Sequence, residues 1–336
     1  MLNSQIKKKR KNLISGSYWT PMNNRRAFIT GIKSIKLSKK EIKFLKKYKP
    51  WGVILFTRNI SNIKQTLNLT SSIRKIFNDK YYPILIDQEG GRVNRLKKII
   101  SFDNLTSDFF GKIYINDYKK FKIFYNLFVD KTSHLLRLMG ININTVPVLD
   151  LRVKGSSNII GDRSFSRNSK IVSQIGDHCI QYFHDNGIGT VIKHIPGHGL
   201  AKVDSHNFTP KVNKKFNYLI KNDFDAFKKK KTFFAMTAHI IFSEIDNKNT
   251  VTHSKKMIKL IRKYLGFKNL LISDDLSMKS LKGNIKENTI KAFNAGCNLV
   301  LHCNGNLSEM VIVGKNSPVL NKFIIKKTSQ FYKILS

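Results

Sequence analysis

Acidic residues are scarce in this chain: 21 Asp and Glu stand against 61 Lys and Arg, a formal charge of +40 over 336 residues. A balance this one-sided first suggests a nucleic acid or an anionic membrane surface as partner. The basic residues, however, are 49 lysines and only 12 arginines, and arginine is the side chain whose planar fork suits phosphate and guanine. Cysteine is scarce too. Cys179, Cys297 and Cys303 make an odd number with no C-x-x-C, which excludes a disulfide framework and fits a reducing compartment. No stretch approaches the ~18 consecutive apolar residues of a membrane-spanning helix. The start, MLNSQIKKKRKNLISGSYW, has a basic cluster but no apolar segment of the kind a secretory signal needs. A cytoplasmic location is therefore the expectation. What is present, 41% hydrophobic and 11% aromatic residues, suffices for a core and rules out wholesale disorder.

The charge is unevenly spread. Residues 1–50 hold 15 basic residues and one acid, Glu41, whereas residues 140–210 hold seven basic and five acidic. Lysine runs of this kind usually mark solvated faces. Residues 1–25 are read as a basic extension outside the fold, and 26–336 as one domain. No internal repeat or linker divides the chain, and a monomer is the default expectation.

Short apolar runs recur at Phe28–Ile32, Val53–Phe56, Pro83–Ile86, Ile141–Leu149, Thr190–Ile192, Phe233–Thr237, Leu270–Ile272 and Asn298–Leu301. Continuous runs without alternation suit parallel strands buried on both faces. Between them lie segments with helical spacing. Ser38 followed by Glu41 has the pattern of a capping box, and residues 169–186 place Ile171, Ile175, His178, Cys179 and Tyr182 on one face. Eight strands alternating with helices predict an α/β fold, a single-domain TIM barrel. A doubly wound sheet lacks support, because no G-x-G-x-x-G follows the first strand. Seven of the eight runs lead into ionisable or amide side chains: Arg58 with Asn59, Asp87 to Glu89, Asp150, Lys193 with His194, His239, Asp274 with Asp275, and His302 with Asn304. In a barrel those ends meet on one face, where the site forms.

Three segments carry the chemistry. Lys193-His-Ile-Pro-Gly-His-Gly199 is followed by Asp204-Ser-His206. Incidental loop histidines, a zinc site built from His194, His198 and His206, and an acid–base pair are the competing readings. In the last, Asp204 orients His206 from two residues away and tunes it to give and take a proton. In Ser273-Asp274-Asp275-Leu-Ser-Met278, one aspartate is expected to cap a following helix, leaving the other free as nucleophile or electrostatic stabiliser. In Asp87-Gln-Glu-Gly-Gly-Arg-Val-Asn-Arg95, the double glycine allows close backbone approach, and Asp87 and Arg95 suit an oxygen-rich ligand. Gly161-Asp-Arg163-Ser-Phe165 is similar, with Arg163 free to pair with Asp162 or to serve a ligand.

Together DQEGGRVNR, GDRSF, KHIPGHG, DSH and SDDLSM resemble, in order and spacing, glycoside hydrolase family 3, and within it the bacterial β-N-acetylhexosaminidases of peptidoglycan recycling. The resemblance runs from about Phe28 to the C-terminus. It implies a retaining exo-β-N-acetylglucosaminidase on a TIM barrel, with no cofactor and no metal. Asp274 matches the nucleophile, His206 the proton donor and acceptor, and Asp204 its partner in a dyad. Asp87, Arg95, Arg163, Lys193 and His194 match the positions that hold N-acetylglucosamine. The implied substrate is a small muropeptide or related sugar ending in N-acetylglucosamine on anhydro-N-acetylmuramic acid. No specific nucleic acid is implied, although a polyanion-binding protein and a metal-dependent barrel hydrolase remain the alternatives from other classes.

Overall fold

The computed structural model describes residues 22, 24–155 and 158–336. Among the described residues ten strands occur in chain order: β1 (Arg26–Gly31), β2 (Pro50–Leu55), β3 (Ile84–Ile86), β4 (Ile143–Asn144), β5 (Gly189–Ile195), β6 (Lys211–Val212), β7 (Phe234–Thr237), β8 (Ile241–Phe242), β9 (Leu270–Asp275) and β10 (Leu299–His302). Eight of them close into a barrel in the order β1-β10-β9-β7-β5-β4-β3-β2, with every neighbouring pair parallel. β6 and β8 form a separate two-stranded parallel sheet. Each of the eight apolar runs contributes one barrel strand, so the chain folds as a single-domain TIM barrel.

The helices are α1 (Lys39–Tyr48), α2 (Ile63–Phe77), α3 (Ser107–Asn116), α4 (Tyr118–Leu138), α5 (Ser169–Asp185), α6 (Phe216–Lys221), α7 (Lys255–Lys263), α8 (Ile285–Ala295), α9 (Leu307–Asn316) and α10 (Lys322–Tyr332). Their starts are chemically marked. Ser38 and Glu41 form the expected capping box on α1, while Asn62, Thr106, Asp117, Asn168, Ser254, Asn284, Asn306 and Asn321 each cap a helix through a side-chain oxygen. These caps satisfy backbone N–H groups that have no partner within the helix. The α5 helix forms where expected but is rotated: it buries Val172, Ile175, Gly176, Cys179, Ile180 and Phe183. His178 is only half-buried; its Nε2 meets the Tyr118 hydroxyl at 3.1 Å. The larger Val172–Phe183 stripe outcompetes the one that included histidine, since a polar ring loses more on burial.

Two apolar layers hold the barrel. One lies between strands and helices; the other fills the interior with Trp51, Leu85, Ile143, Val191, Phe234, Met236, Leu270, Ile272 and Leu299. The end of the barrel away from the strand C-termini is plugged by α10, where the Trp51 indole N–H donates to Thr328 Oγ1 (2.8 Å). Beside that plug, Arg25 is 1% exposed. Its guanidinium donates to Asp79 (2.8 Å), which also accepts from the Tyr332 hydroxyl (2.9 Å), and it lies 4.8 Å from the centre of the Tyr82 ring. Most of the basic stretch 1–25 lies outside the described residues. Its end does not stand apart from the fold, since Met22 and Arg25 are both buried in it. Among the described residues no helix is long and apolar enough to cross a membrane.

Removing Asp79 leaves a buried guanidinium without its carboxylate, and breaking such a pair from one side is costly. The variant Asp79→Ala should lose about 3–5 kcal/mol of unfolding free energy in a urea titration. A change below about 1 kcal/mol would show that the closure does not depend on this pair.

Candidate active site

The C-terminal ends of β3, β4, β5 and β9 surround one pocket, lined among others by Asp87, Glu89, Arg95, Arg163, Lys193, His194, His206 and Asp274. Asp87 and Glu89 follow β3 because Gly90 and Gly91, at φ 94° and 56°, turn the chain sharply back. A Cβ on Gly90 would sit 2.3 Å from the Leu105 carbonyl oxygen, so only glycine passes there. Gln88 pins the returning strand by accepting from the N–H groups of Arg95 (2.8 Å) and Leu96 (3.2 Å).

Lys193 is the hub of a buried charge cluster. Its ammonium reaches Asp87 (2.8 Å), Glu89 (2.6 Å) and Thr145 Oγ1 (3.1 Å), and the Thr145 hydroxyl donates to Asp87 as well. Arg163 grips Glu89 with Nε and Nη2, both at 2.8 Å. Arg95 approaches Asp87 at 3.6 Å. Arg163 thus pairs with Glu89, while Asp162 pairs with Arg92 (3.0 Å). Burial alone would raise the pKa values of Asp87 and Glu89. Lys193 with Arg95, and Arg163 with Lys193, outweigh it and hold both carboxyls below their ordinary values. Burial would likewise discharge Lys193, but Asp87 and Glu89 raise its pKa instead. The cluster is fully ionised through the neutral range.

A second network stands behind His194. Asp150, wholly buried, accepts from His194 Nδ1 (2.7 Å) and from the backbone N–H of His198 (2.7 Å) and of His194 (3.2 Å). With Nδ1 so held, His194 turns Nε2 toward Asp274, 4.0 Å away. One Asp274 oxygen accepts the N–H of Asp275 (2.8 Å). Burial pushes the Asp274 pKa up, but His194, His239, that N–H and His206 together bring it below the usual carboxylate value. An ionised, half-buried carboxylate facing open space is a competent nucleophile. His239, fully buried, sits 3.0 Å from the Asp275 carbonyl through Nε2 and 2.7 Å from the Thr252 hydroxyl through Nδ1. Burial lowers its pKa despite the nearby carboxylates; a neutral ring donating from Nε2 and accepting at Nδ1 fits both partners.

Asp275 caps no helix. It accepts from Ser277 N and Oγ (3.1 and 2.7 Å) and from Cys303 N (3.1 Å), because the next helix, α8, begins only at Ile285 under an Asn284 cap. It therefore locks a turn and ties β9 to the end of β10.

At the rim, Asp204 Oδ1 accepts both the backbone N–H and Nδ1 of His206, each at 2.8 Å. The His206 side chain is 61% exposed, and its other ring nitrogen is left for the pocket. The loop carrying it is tethered by His198 Nε2 to Ser205 Oγ (3.0 Å), Lys279 N to His206 O (3.3 Å) and Thr209 Oγ1 to Ser280 O (2.7 Å). The zinc alternative finds no ligand set: among the described residues no three His, Cys, Asp or Glu side chains gather to hold a metal. His194 is committed to Asp150 and His198 to Ser205. Not every strand-end residue lines the pocket. His302 turns to Glu309 (2.8 Å), and Arg58 donates to the carbonyls of Ile32 and Cys303.

Glu89, Thr145, Asp150 and His239 are part of the site without having been assigned roles from sequence. The carboxylates and His239 were visible as strand-end residues; Thr145 carried no signal. Neither did Asp223, which is 1% exposed with no hydrogen-bond partner on either oxygen. It packs under the Gly197–Gly199 turn, where a Cβ on Gly199 would come 2.8 Å from Asp223 Oδ1. Burial, reinforced by the Asp150 charge, pushes its pKa up to about 7.

Comparison with known proteins gives a consistent result. The glycosyl hydrolase family 3 N-terminal domain matches residues 7–324, beginning within the basic stretch. The β-hexosaminidase of Methylobacillus flagellatus is 32% identical over 276 residues, covering 80% of this chain and 78% of that protein. That of Haemophilus influenzae is 32% identical over 284 residues, covering 83% and 79%. NagZ from Neisseria gonorrhoeae, solved with N-trifluoroacetyl-D-glucosamine, superposes with a TM-score of 0.82 at 27% identity, covering 93% of this chain and 90% of that one.

Asp223 makes stability depend on pH. Its folded pKa lies above the unfolded value, so its contribution is intact below about pH 4 and is lost as pH rises through about 7. Replacing it by Asn removes the ionisation. Asp223→Asn should match the parent in thermal melts at pH 4 and exceed it at pH 8, by up to about 4 kcal/mol. A variant less stable than the parent at pH 8 would mean that Asp223 is held as an anion.

Proposed function

The chain belongs to glycosyl hydrolase family 3 and is a hydrolase of the β-hexosaminidase type, and from that premise we propose that it removes terminal, non-reducing β-linked N-acetylglucosamine with retention of configuration. The observation that carries this is the composition of one pocket: a half-buried carboxylate held below its usual pKa, Asp274, faces a charged cradle and an exposed His206–Asp204 dyad at the rim.

In the first step an Asp274 oxygen attacks the anomeric carbon while His206 donates its proton to the departing glycosidic oxygen, leaving a glycosyl ester on Asp274. In the second step His206 takes a proton from water as that water displaces Asp274 and releases the sugar. Asp204 holds Nδ1 of His206, so the free ring nitrogen does the transfer in both directions. A histidine in place of the usual second carboxylate leaves one negative charge fewer to oppose an anionic aglycone. Asp87, Lys193, Arg95, Arg163 and His194 hold the sugar: ionised Asp87 accepts from vicinal hydroxyls, and the cations donate to its oxygens. The substrate we favour is N-acetylglucosamine linked to anhydro-N-acetylmuramic acid, with or without peptide, in a cytoplasmic step of peptidoglycan recycling. The chain acts without metal or cofactor and as a monomer.

The test is hydrolysis of an aryl β-N-acetylglucosaminide and of cell-wall fragments, with the anomer of the first product read by NMR. Inertness of the folded protein towards both, or release of the α-anomer, would sink the proposal. Asp274→Ala should lower kcat by about 10⁴ or more on every substrate. His206→Ala should cost about 10²–10⁴ in kcat/KM on natural glycosides and little on aryl glycosides with acidic leaving groups, which need no protonation. Equal losses on both would contradict the role given to His206.

A further inference from the structure

Helix α4 has apolar residues on its outer face as well as its inner one. Phe121, Tyr125, Phe128, Val129, Leu135 and Leu136 are buried towards the barrel. The opposite face of a surface helix is ordinarily polar, yet here Ile123 and Leu127 are each 61% exposed, with Phe124 at 45% and Leu138 at 42%. Ile123 and Leu127 are one turn apart, and Leu138 lies three turns on, beyond the exposed Lys131 and His134. Ile115, at the end of α3, is another exposed apolar side chain, at 58%. The outer face of α1 shows what this chain puts on an ordinary solvent-facing helix: Lys39, Lys40, Lys43, Lys46 and Lys47.

Cations border the patch. Lys119, Lys120, Lys122, Lys131 and Arg137 are exposed on the same helix, with the Lys120 ammonium 5.7 Å from the Phe124 ring centre. The two acids of this stretch are both engaged, Asp117 as the cap accepting from Lys120 N–H (2.9 Å) and Asp130 in accepting from Asn186 (2.8 Å). An apolar stripe edged by lysine is the pattern of a helix lying in a membrane interface. The alternatives fit less well. A second copy would bring two lysine rims together in a chain of charge +40, and a nucleic acid would take the lysines but leave Ile123 and Leu127 without an apolar partner.

We propose that the outer face of α4 docks the protein on an anionic lipid bilayer, with Ile123, Phe124 and Leu127 entering the boundary between headgroups and acyl chains. The flanking lysines meet the lipid phosphates. At 21 residues the helix offers about 31 Å of length. It packs beside α5 and contributes no residue to the lining of the pocket, so its outer face can be covered without filling the site. The proposal does not depend on which sugar the pocket cleaves.

The test is co-sedimentation of the whole chain with vesicles of phosphatidylglycerol and phosphatidylcholine in equal parts, and with phosphatidylcholine alone. The parent should bind the anionic vesicles, release with rising salt, and bind phosphatidylcholine poorly. The double variant Ile123→Ser, Leu127→Ser should reduce anionic binding at least about tenfold, and Lys120→Glu, Lys131→Glu should do the same. Both variants should keep the parent's thermal melt and its turnover of a soluble glycoside. No vesicle binding by the parent, or anionic binding that the serine variant leaves unchanged, overturns the proposal; the second result would assign binding to charge alone. Sedimentation velocity showing a dimer that the serine variant abolishes also overturns it, in favour of a second copy of the chain.

Discussion

The position of one ammonium group organises the pocket. Lys193 projects from β5, yet its partners come from elsewhere: Asp87 and Glu89 follow β3, and Thr145 follows β4. Its charge therefore fastens three successive strand ends, and through Glu89 it fastens Arg163 from the long connection after β4. A buried ammonium is costly unless it is paired and hydrogen-bonded on several sides. Here the compensation is mutual, since burial pushes the pKa of both carboxyls up and Lys193, Arg95 and Arg163 bring it down again. The result is a rigid polar surface at the end of a barrel whose interior is otherwise apolar.

The same principle explains why the candidate nucleophile and the candidate proton carrier are held so differently. Asp274 continues a barrel strand and is framed by groups that are themselves fixed: His194 by Asp150, and Asp275, whose N–H it accepts, by His239 at the Asp275 carbonyl. An attacking oxygen gains from a fixed near-attack position. His206 instead sits on a loop at the rim, oriented locally by Asp204 two residues away and tethered to the β9–α8 connection through Lys279 and Ser280. A proton carrier must reach the leaving oxygen in one step and a water in the next. A locally oriented ring on an accessible loop serves both without disturbing the floor of the pocket.

Much of this was legible in the sequence. All eight strands announced themselves as apolar runs, because parallel strands buried on both faces leave no room for alternation. The motif residues Asp87, Arg95, Arg163, Lys193, His194, His206 and Asp274 do come together in one pocket, with Asp204 held against His206 at its rim. What failed to read through depended on competition between partners. Arg163 had Asp162 beside it in sequence but took Glu89, 74 positions away, because only Glu89 offers both oxygens to the guanidinium fork. One of Asp274 and Asp275 was expected to cap a helix, but no helix starts there, and the Asp275 oxygens instead hold a turn and β10. His302 ends a strand as its pocket-lining counterparts do, yet Glu309 draws it aside. Local sequence states which groups are available; the fold decides which of them are nearest.

The charge balance gains its meaning from the same competition. In a chain with 61 basic residues, a cation is the cheapest thing to find at any surface position, and a carboxylate is rare. Lysines that point outward cost little beyond mutual repulsion screened by salt. Carboxylates behave differently here: Asp87, Glu89, Asp150 and Asp274 all lie in or behind the pocket, each with a specific donor set. A drift towards lysine can proceed on the outer helices without touching this arrangement, because screening separates a surface ammonium from a buried carboxylate that already has partners. It cannot proceed in the pocket, where exchanging any one of the four for lysine would bury a new cation among donors that the carboxylate now satisfies. These four acids therefore mark where the fold has no alternative.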